Sequence, residues 1–281
     1  MATQPLGYFD LLKGFSLFDI GEVINVDTVE YLPLLYMPLP GKYNPLIIIP
    51  VENSSVKVNI ELMRRPGLEL FEVDEVLEKH LSNFYKFLCD ELGVNYGFRV
   101  NIDSTPLHRG FTYAVVTNAI AKMLAGRLTE DVYELLNIID SRFGIGDYVA
   151  ALRLYDQVKD AYVWRYGDGV VRLGGVKARV KRVLGAVRPT HRNNVLGDTK
   201  INNILTHLVG LIIIGLYEAL SEWNMSKLYD YAKLLNSLWE GTNDFEEFSE
   251  YRKLTVSGNY LYVQDVDRVL LLEVELRLQG R

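Results

Sequence analysis

Three short stretches of this sequence hold residue types from which phosphate and proton-transfer chemistry can be assembled. In the first, STPLHRGFTYAVV at 104–116, an alternating run, YGFRVNID, ends in a turn that opens into a helical pattern. A turn between a strand and a helix N-terminus presents unpaired backbone N–H groups and the positive end of the helix dipole, which together attract an anion. Glycine lets the backbone approach a phosphate, and a hydroxyl adds a donor or a magnesium ligand. Pro106, Gly110 and Thr112 supply these features, and His108 and Arg109 would add positive charge. Tyr113 brings bulk to a position where such turns carry a small residue. The same residues also read as an ordinary turn with its glycine. The backbone at 110–114 decides between an open, N–H-lined pocket and one filled by the Tyr113 ring.

The second stretch is RFGIGDYVAA at 142–151. Gly144 and Gly146 permit a tight turn that holds Asp147 at a helix start, where a carboxylate is electrostatically favoured. The plain reading of Asp147 is an N-cap; the chemical one is a base that accepts a substrate hydroxyl proton. In the third, KLTVSGNYLYV at 253–263, Ser257 and Gly258 form a turn between a helix and a strand. Arg188, His191 and Arg192 make a cationic group that faces either a carboxylate substrate or solvent, and Asp103 is a strand-end carboxylate beside the first turn. His80, His108, His191 and His207 are the only histidines and show no metal-ligand spacing, so no protein-held metal is expected.

Strands and helices in mixed order must position these residues. The first 65 residues read as strands and turns, with four prolines in PLLYMPLPGKYNP marking an irregular connection. Asp74 is placed to cap a helix with Val76, Leu77, Leu81, Phe84, Leu88 and Leu92 on one face and Gly93 at its end. Tyr96, Phe98, Val100 and Ile102 alternate as a half-buried strand leading to the first turn. A helix over 111–125 follows, then one capped by Thr129 with Val132, Leu135, Leu136 and Ile139 on one face. DAYVWRYGDGVVRL reads as a hairpin turning at 167–169, and VKARVKRVLGAV as a strand whose Lys177, Arg179 and Lys181 share a solvated face. Helical patterns run through TKINNILTHLVGLIIIGLYEAL, MSKLYDYAKLLNSLWEG and DFEEFSEYRK, and LTVSGNYLYV and VLLLEVELRL read as closing strands. Without strict βαβα alternation the fold class is α+β. By pattern the chain divides into an α+β lobe at 1–187, which holds the first turn, and a helical lobe with two closing strands at 188–281.

Composition narrows the partners. The chain has 281 residues, 49% hydrophobic and 23% charged, as a folded globular protein does. A net charge of −6 argues against nucleic acid as a partner. Cys89 is the one cysteine, so no intrachain disulfide can form, and a reducing, cytoplasmic setting is expected. The uninterrupted apolar run at 208–217 is short of the roughly 20 residues a membrane span needs, which predicts a buried helix and no membrane.

In order and spacing, the three stretches resemble the GHMP small-molecule kinases, the superfamily of galactokinase, homoserine kinase and mevalonate kinase. Pro106, Gly110 and the apolar Phe111 match the family's central loop P-x-x-x-G-L-G-S-S-A, while Thr112, Tyr113, Ala114 and Val115 depart from it. Gly144-Ile145-Gly146-Asp147-Tyr148 is similar to the G-L-G-D-V stretch of archaeal pantoate kinases, and the following hairpin and the lead PTHRNNVLGD at 189–198 are similar to theirs. Only Gly258 remains of the family's third, glycine-rich loop. The resemblance implies a two-lobed fold with an N-terminal mixed-sheet lobe like ribosomal protein S5 domain 2 and a C-terminal helical, ferredoxin-like lobe.

It implies ATP and Mg as cofactors and a small-molecule substrate, in the setting of coenzyme A biosynthesis. Residues 106–112 would cradle phosphate, Asp147 would act on the acceptor hydroxyl beside Gly146, and Arg188 or Arg192 would pair with a carboxylate. Two functions follow: an ATP-dependent kinase of a small hydroxy acid such as pantoate, or a non-catalytic GHMP-fold binding or partner protein that has lost its nucleotide loops. Either is compatible with a homodimer formed through the apolar run at 208–217.

Overall fold

In a computed structural model, the structure describes residues 19–37, 39, 44–188, 190–191, 199–244 and 252–278. It forms two compact units, one of residues 1–30 and 54–153, the other of 31–53 and 154–281. Strands β1 (Val23–Leu35) and β2 (Leu46–Met63) each contribute residues to both units.

In the first unit, β2 runs antiparallel to β4 (Gly97–Ile102), from Val58 opposite Ile102 to Met63 opposite Gly97, and β3 (Gly67–Phe71) runs parallel to β4. Val58, Ile60, Phe98, Val100 and Ile102 are buried, as the alternation in both strands requires. Helix α1 (Glu75–Leu92) begins and ends where its caps predict: Asp74 accepts the N–H groups of Val76 and Leu77, and Gly93 takes a left-handed conformation. Leu77, Leu81, Phe84, Leu88 and Leu92 bury its apolar face.

Helix α2 (Arg109–Ala125) has no polar face; fourteen of its residues are buried, because α1, α3 (Glu130–Arg142) and α4 (Tyr148–Leu152) all pack on it. That central position buries the helix from Gly110 onward, while the Arg109 side chain at its start stays 19% exposed. Thr129 caps α3 by accepting the Val132 N–H.

Asp74 also accepts the Arg109 guanidinium at 2.9 Å, tying the caps of α1 and α2 together. Partial burial would raise its carboxyl, but the Leu77 N–H, Arg109 and the Val76 N–H hold it below the usual aspartate range. Asp74→Ala is expected to cost about 1 kcal/mol, the ordinary worth of an N-cap. A carboxyl with a lowered folded-state pKa stabilises above its unfolded pKa and ceases to as pH falls through the folded one. The gap between wild type and variant therefore closes in acid, which urea unfolding at several pH values will read.

The second unit is a sheet with two long helices. β10 (Tyr260–Gln264) pairs antiparallel with β11 (Val269–Leu278), and β11 with β7 (Val176–Val187). β7 meets β2 in parallel at Ala178 and Val51. Asn53 extends that single pairing through its side chain, which donates to the Val180 carbonyl at 2.7 Å and accepts the Val180 N–H at 3.0 Å. β5 (Tyr162–Arg165) and β6 (Gly169–Arg172) form the expected hairpin, antiparallel to β2 through β5. The basic face of β7 is met by acids of β11, with Lys181 3.4 Å from Glu275 and Arg182 2.8 Å from Glu273.

Helices α5 (Tyr155–Val158), α6 (Thr199–Ser221) and α7 (Met225–Thr242) complete this unit, with α6 packed on α7 and the Trp239 indole donating to the Tyr36 carbonyl at 2.9 Å. α6 is long and apolar enough to cross a membrane by length and composition. The expectation of a buried helix is corrected here: Val209, Ile212, Ile213 and Leu216 are buried, whereas Ile204, Leu208, Leu211 and Ile214 are exposed.

Where LTVSGNYLYV reads as a strand, Arg252–Thr255 is instead a helical turn, α8. The Ser257 N–H donates to Leu254 and the Gly258 N–H to Thr255, and Asn236 of α7 donates to the carbonyls of Thr255 and Tyr260, so pairing starts only at Tyr260. The helical reading of DFEEFSEYRK falls mostly at 245–251, outside the described residues, as does PTHRNNVLGD apart from the short strand β8 (Thr190–His191), which pairs with β9 (Asn243–Asp244).

Candidate functional site at the start of helix α2

β4 delivers the chain to the turn before α2, and His108 is the N-cap of that helix. Its Nδ1 accepts the Phe111 N–H at 3.0 Å, which makes Nδ1 the unprotonated ring nitrogen. Two further backbone donors of the turn are held by Glu30, a buried carboxylate on β1. The His108 N–H donates to Glu30 Oε1 at 2.6 Å, the Leu107 N–H donates to Oε2 at 3.1 Å, and the Ser54 hydroxyl donates to the same Oε2. An internal anion thus sits on N–H groups that such a turn otherwise offers to a phosphate. Burial pushes the Glu30 carboxyl above the usual glutamate range, opposed by Ser54, the nearby His108 and the two backbone donors.

The other turn residues are engaged in the same way. Thr112 is fully buried and its hydroxyl donates to the His108 carbonyl at 3.2 Å. The Arg109 guanidinium is on Asp74. Pro106 is half-buried ahead of the helix. The Tyr148 ring covers Gly110: a Cβ at Gly110 would lie 2.9 Å from Tyr148 Cε2 and 3.0 Å from His108 Cε1, and one at Gly146 would lie 2.5 Å from Tyr148 Cε1. Tyr148 meets the His108 ring edge-on with centroids 5.7 Å apart. The turn is therefore filled, but by Glu30, His108 and Tyr148, and the expectation of an open pocket or one plugged by Tyr113 is corrected.

Tyr113 serves a different part of the unit. Its ring stands edge-on to His80 and Phe84 of α1, and its hydroxyl donates to Asp140 Oδ1 at 3.0 Å. Arg153, 0% exposed, lies 5.5 Å over that ring and pairs bidentately with Asp140, Nη2 donating to Oδ1 at 2.8 Å and Nε to Oδ2 at 3.0 Å. The same guanidinium donates to Thr117 at 2.7 Å and Asn118 at 2.9 Å, and Asn118 returns a bond to the Arg153 carbonyl. Burial raises the Asp140 carboxyl above its usual range, with Arg153 and Tyr113 opposing.

Asp147 stands at the N-cap position of α4 as expected, exposed and in helical conformation, and its side chain makes no capping bond there. It lies in the same unit as residues 106–112, one residue before Tyr148. Arg188 follows β7 as an exposed residue of the other unit, and Arg192 lies outside the described residues. Ser257 and Gly258 also belong to the second unit. Ser257 Oγ donates to the Leu254 carbonyl at 2.9 Å, and Gly258 has φ +78° with the Tyr229 carbonyl 2.7 Å from where a Cβ would stand. The glycine retained there serves close packing on α7.

No protein-family model matches the sequence, and no curated protein sequence is similar to it. Solved structures are similar. L. major mevalonate kinase in complex with R-mevalonate superposes with a TM-score of 0.59 at 11% identity, over 88% of this chain and 86% of that one. Mevalonate diphosphate decarboxylase from Staphylococcus aureus gives 0.60 at 10% identity over 94% and 90%. Homoserine kinase from Cytophaga hutchinsonii gives 0.53 at 14% identity over 92% and 87%. The chain has the GHMP kinase-like fold.

Within this fold the departures at Thr112, Tyr113 and Ala114 acquire a physical account. Thr112 and Ala114 are buried in the centre of the first unit, and Tyr113 completes the Asp140–Arg153 network. Glu30, Asp140, Tyr148 and Arg153 escaped the reading of the sequence as site-shaping residues. Arg153 and Asp140 did carry a signal, each a charge within an apolar helical pattern, VAALRLY and LLNIIDS.

Proposed function

We propose that this chain uses the GHMP kinase-like fold without phosphoryl transfer, as a binding or partner protein. The observation that carries this reading is the Glu30 carboxylate on the N–H groups of Leu107 and His108. A nucleotide phosphate brought to those donors would meet a buried carboxylate and the Tyr148 ring, with no unengaged hydroxyl at Thr112. The residues at the start of α2 do not fit Mg-ATP as arranged, so no catalytic step is assigned to it.

The competing reading is an ATP-dependent, pantoate kinase-like enzyme, favoured by the exposed Asp147 directly after Gly144, Ile145 and Gly146. A phosphotransfer assay on the full chain separates the two. No transfer from Mg-ATP to pantoate or related small hydroxy acids is expected, and Asp147→Asn leaves that baseline unchanged. Transfer that disappears in Asp147→Asn would establish the kinase instead.

A further inference from the structure

Strand β6 lies at an edge of the second unit's sheet, where among the described residues it pairs with β5 alone. All four of its residues are exposed, and two are valines, Val170 at 37% and Val171 at 52%. The register sets Tyr162 opposite Arg172, Val163 opposite Val171 and Trp164 opposite Val170, and just beyond it the Leu173 N–H donates to the Ala161 carbonyl at 2.8 Å. Bonded and non-bonded pairs alternate in an antiparallel ladder, so Val163 and Val171 form a bonded pair, and the N–H and C=O groups of Val170 and Arg172 point to the open edge. Among the described residues none of these groups has a partner. A row of unpaired backbone groups is a template for a further strand.

The side chains beside the edge select what that strand carries. Val171 lines an apolar pocket of about 130 Å³ with Pro45, Val163, Ile213, Ile214 and Tyr217. An aliphatic void of about 150 Å³ holds a benzene-sized molecule, so this one has room for a branched aliphatic side chain. On the opposite face of β6, the exposed Arg172 donates to the Gln157 carbonyl at 3.3 Å and has no ion pair among the described residues.

We infer that β6 is a docking edge for an extended segment of another protein, which adds antiparallel as a further strand and carries a carboxylate followed by a branched aliphatic residue. In that register Val170 and Arg172 make bonded pairs with the segment, and Val171 faces it at a non-bonded position, where side chains stand closest. The aliphatic residue opposite Val171 reaches the pocket, and the carboxylate before it stands beside Arg172. A second copy of β6 fits less well, because the one acid of the hairpin, Asp168, lies in its turn and is already paired with Arg165 at 2.8 Å. A bilayer would leave the N–H and C=O groups of the edge unpaired in hydrocarbon, and a small apolar ligand would fill the pocket without meeting them.

The inference goes beyond the absence of phosphoryl transfer and does not depend on it. Fluorescence anisotropy of labelled hexapeptides with the full chain tests it. The peptide TTELTT is expected to bind saturably, with a dissociation constant below about a millimolar. N-methylation of its glutamate, or of the threonine after leucine, removes an N–H that faces β6 and weakens binding about tenfold or more. N-methylation of the leucine, whose N–H points away from β6, changes it less than about threefold. Val170→Pro removes one edge N–H and no rung of the β5–β6 ladder, and weakens binding to a similar extent. Arg172→Glu weakens TTELTT, and the charge-reversed TTKLTT restores the affinity to within a few-fold. The methylation series on the wild type keeps the test valid where a variant fails to fold. No binding at millimolar peptide, binding indifferent to which N–H is methylated, or a charge reversal that does not restore affinity would each overturn the inference. So would self-association abolished by Val170→Pro, or co-flotation with phosphatidylcholine vesicles lost in Val171→Glu.

Discussion

Arg153→Met is expected to destabilise the protein by roughly 3–5 kcal/mol at neutral pH, the range for breaking a buried ion pair from one side. Asp140 would be left buried without its countercharge, and the Thr117 and Asn118 side-chain oxygens would lose the bonds that Arg153 donates to them. Adding Asp140→Leu should recover part of the loss, because a buried pair replaced on both sides leaves no uncompensated charge. The pH dependence has a definite sign. The Asp140 carboxyl is already raised by burial against the pull of Arg153, and losing Arg153 raises it further. A group with a raised folded-state pKa stabilises below its unfolded pKa and loses that contribution as pH rises through the folded one. The deficit of Arg153→Met therefore grows with pH and shrinks in acid, and chemical denaturation from mildly acidic to neutral pH measures it.

Glu30→Ala is the second large effect. It leaves the N–H groups of Leu107 and His108 and the Ser54 hydroxyl without their acceptor, at roughly 1–3 kcal/mol for each group that stays dry. Water entering the vacated space will meet some of that need, so a total of roughly 2–5 kcal/mol is expected. Glu30→Gln keeps the shape and removes the charge. Burial raises the Glu30 carboxyl, so its protonation stabilises below the usual glutamate range and that contribution fades as pH rises through the raised value. Wild type should thus stand highest relative to Glu30→Gln in acid and lose ground toward neutral pH.

Local chemistry was legible in the sequence to the extent that its partners were local. Asp74 and Gly93 bound α1, the glycine turn made the β5–β6 hairpin, and the alternation of β7 put Lys177 and Arg179 opposite Val176 and Ala178. Helix α2 was expected over 111–125 and begins at Arg109; buried on all sides, it carries no amphipathic period to say which face packs inward. The seal at its start was invisible because Glu30 meets His108 across 78 positions of sequence, and no spacing rule connects them. LTVSG was misread as strand because its composition favours β-structure, while two turn hydrogen bonds and Asn236 fix it as a helical turn. The turn at 106–112 does lie between β4 and α2, and tertiary partners decide what occupies it.

The central claim is that the start of α2 is closed to nucleotide phosphate by the protein's own carboxylate. Thermal unfolding of the full chain in rising Mg-ATP tests it most directly, because a ligand that binds only the folded state adds about 2.7 kcal/mol of stability at a hundredfold excess over its Kd. The account predicts a melting temperature that does not move at millimolar Mg-ATP. A saturable rise of several degrees in the wild type, enlarged by Glu30→Gln, would contradict it.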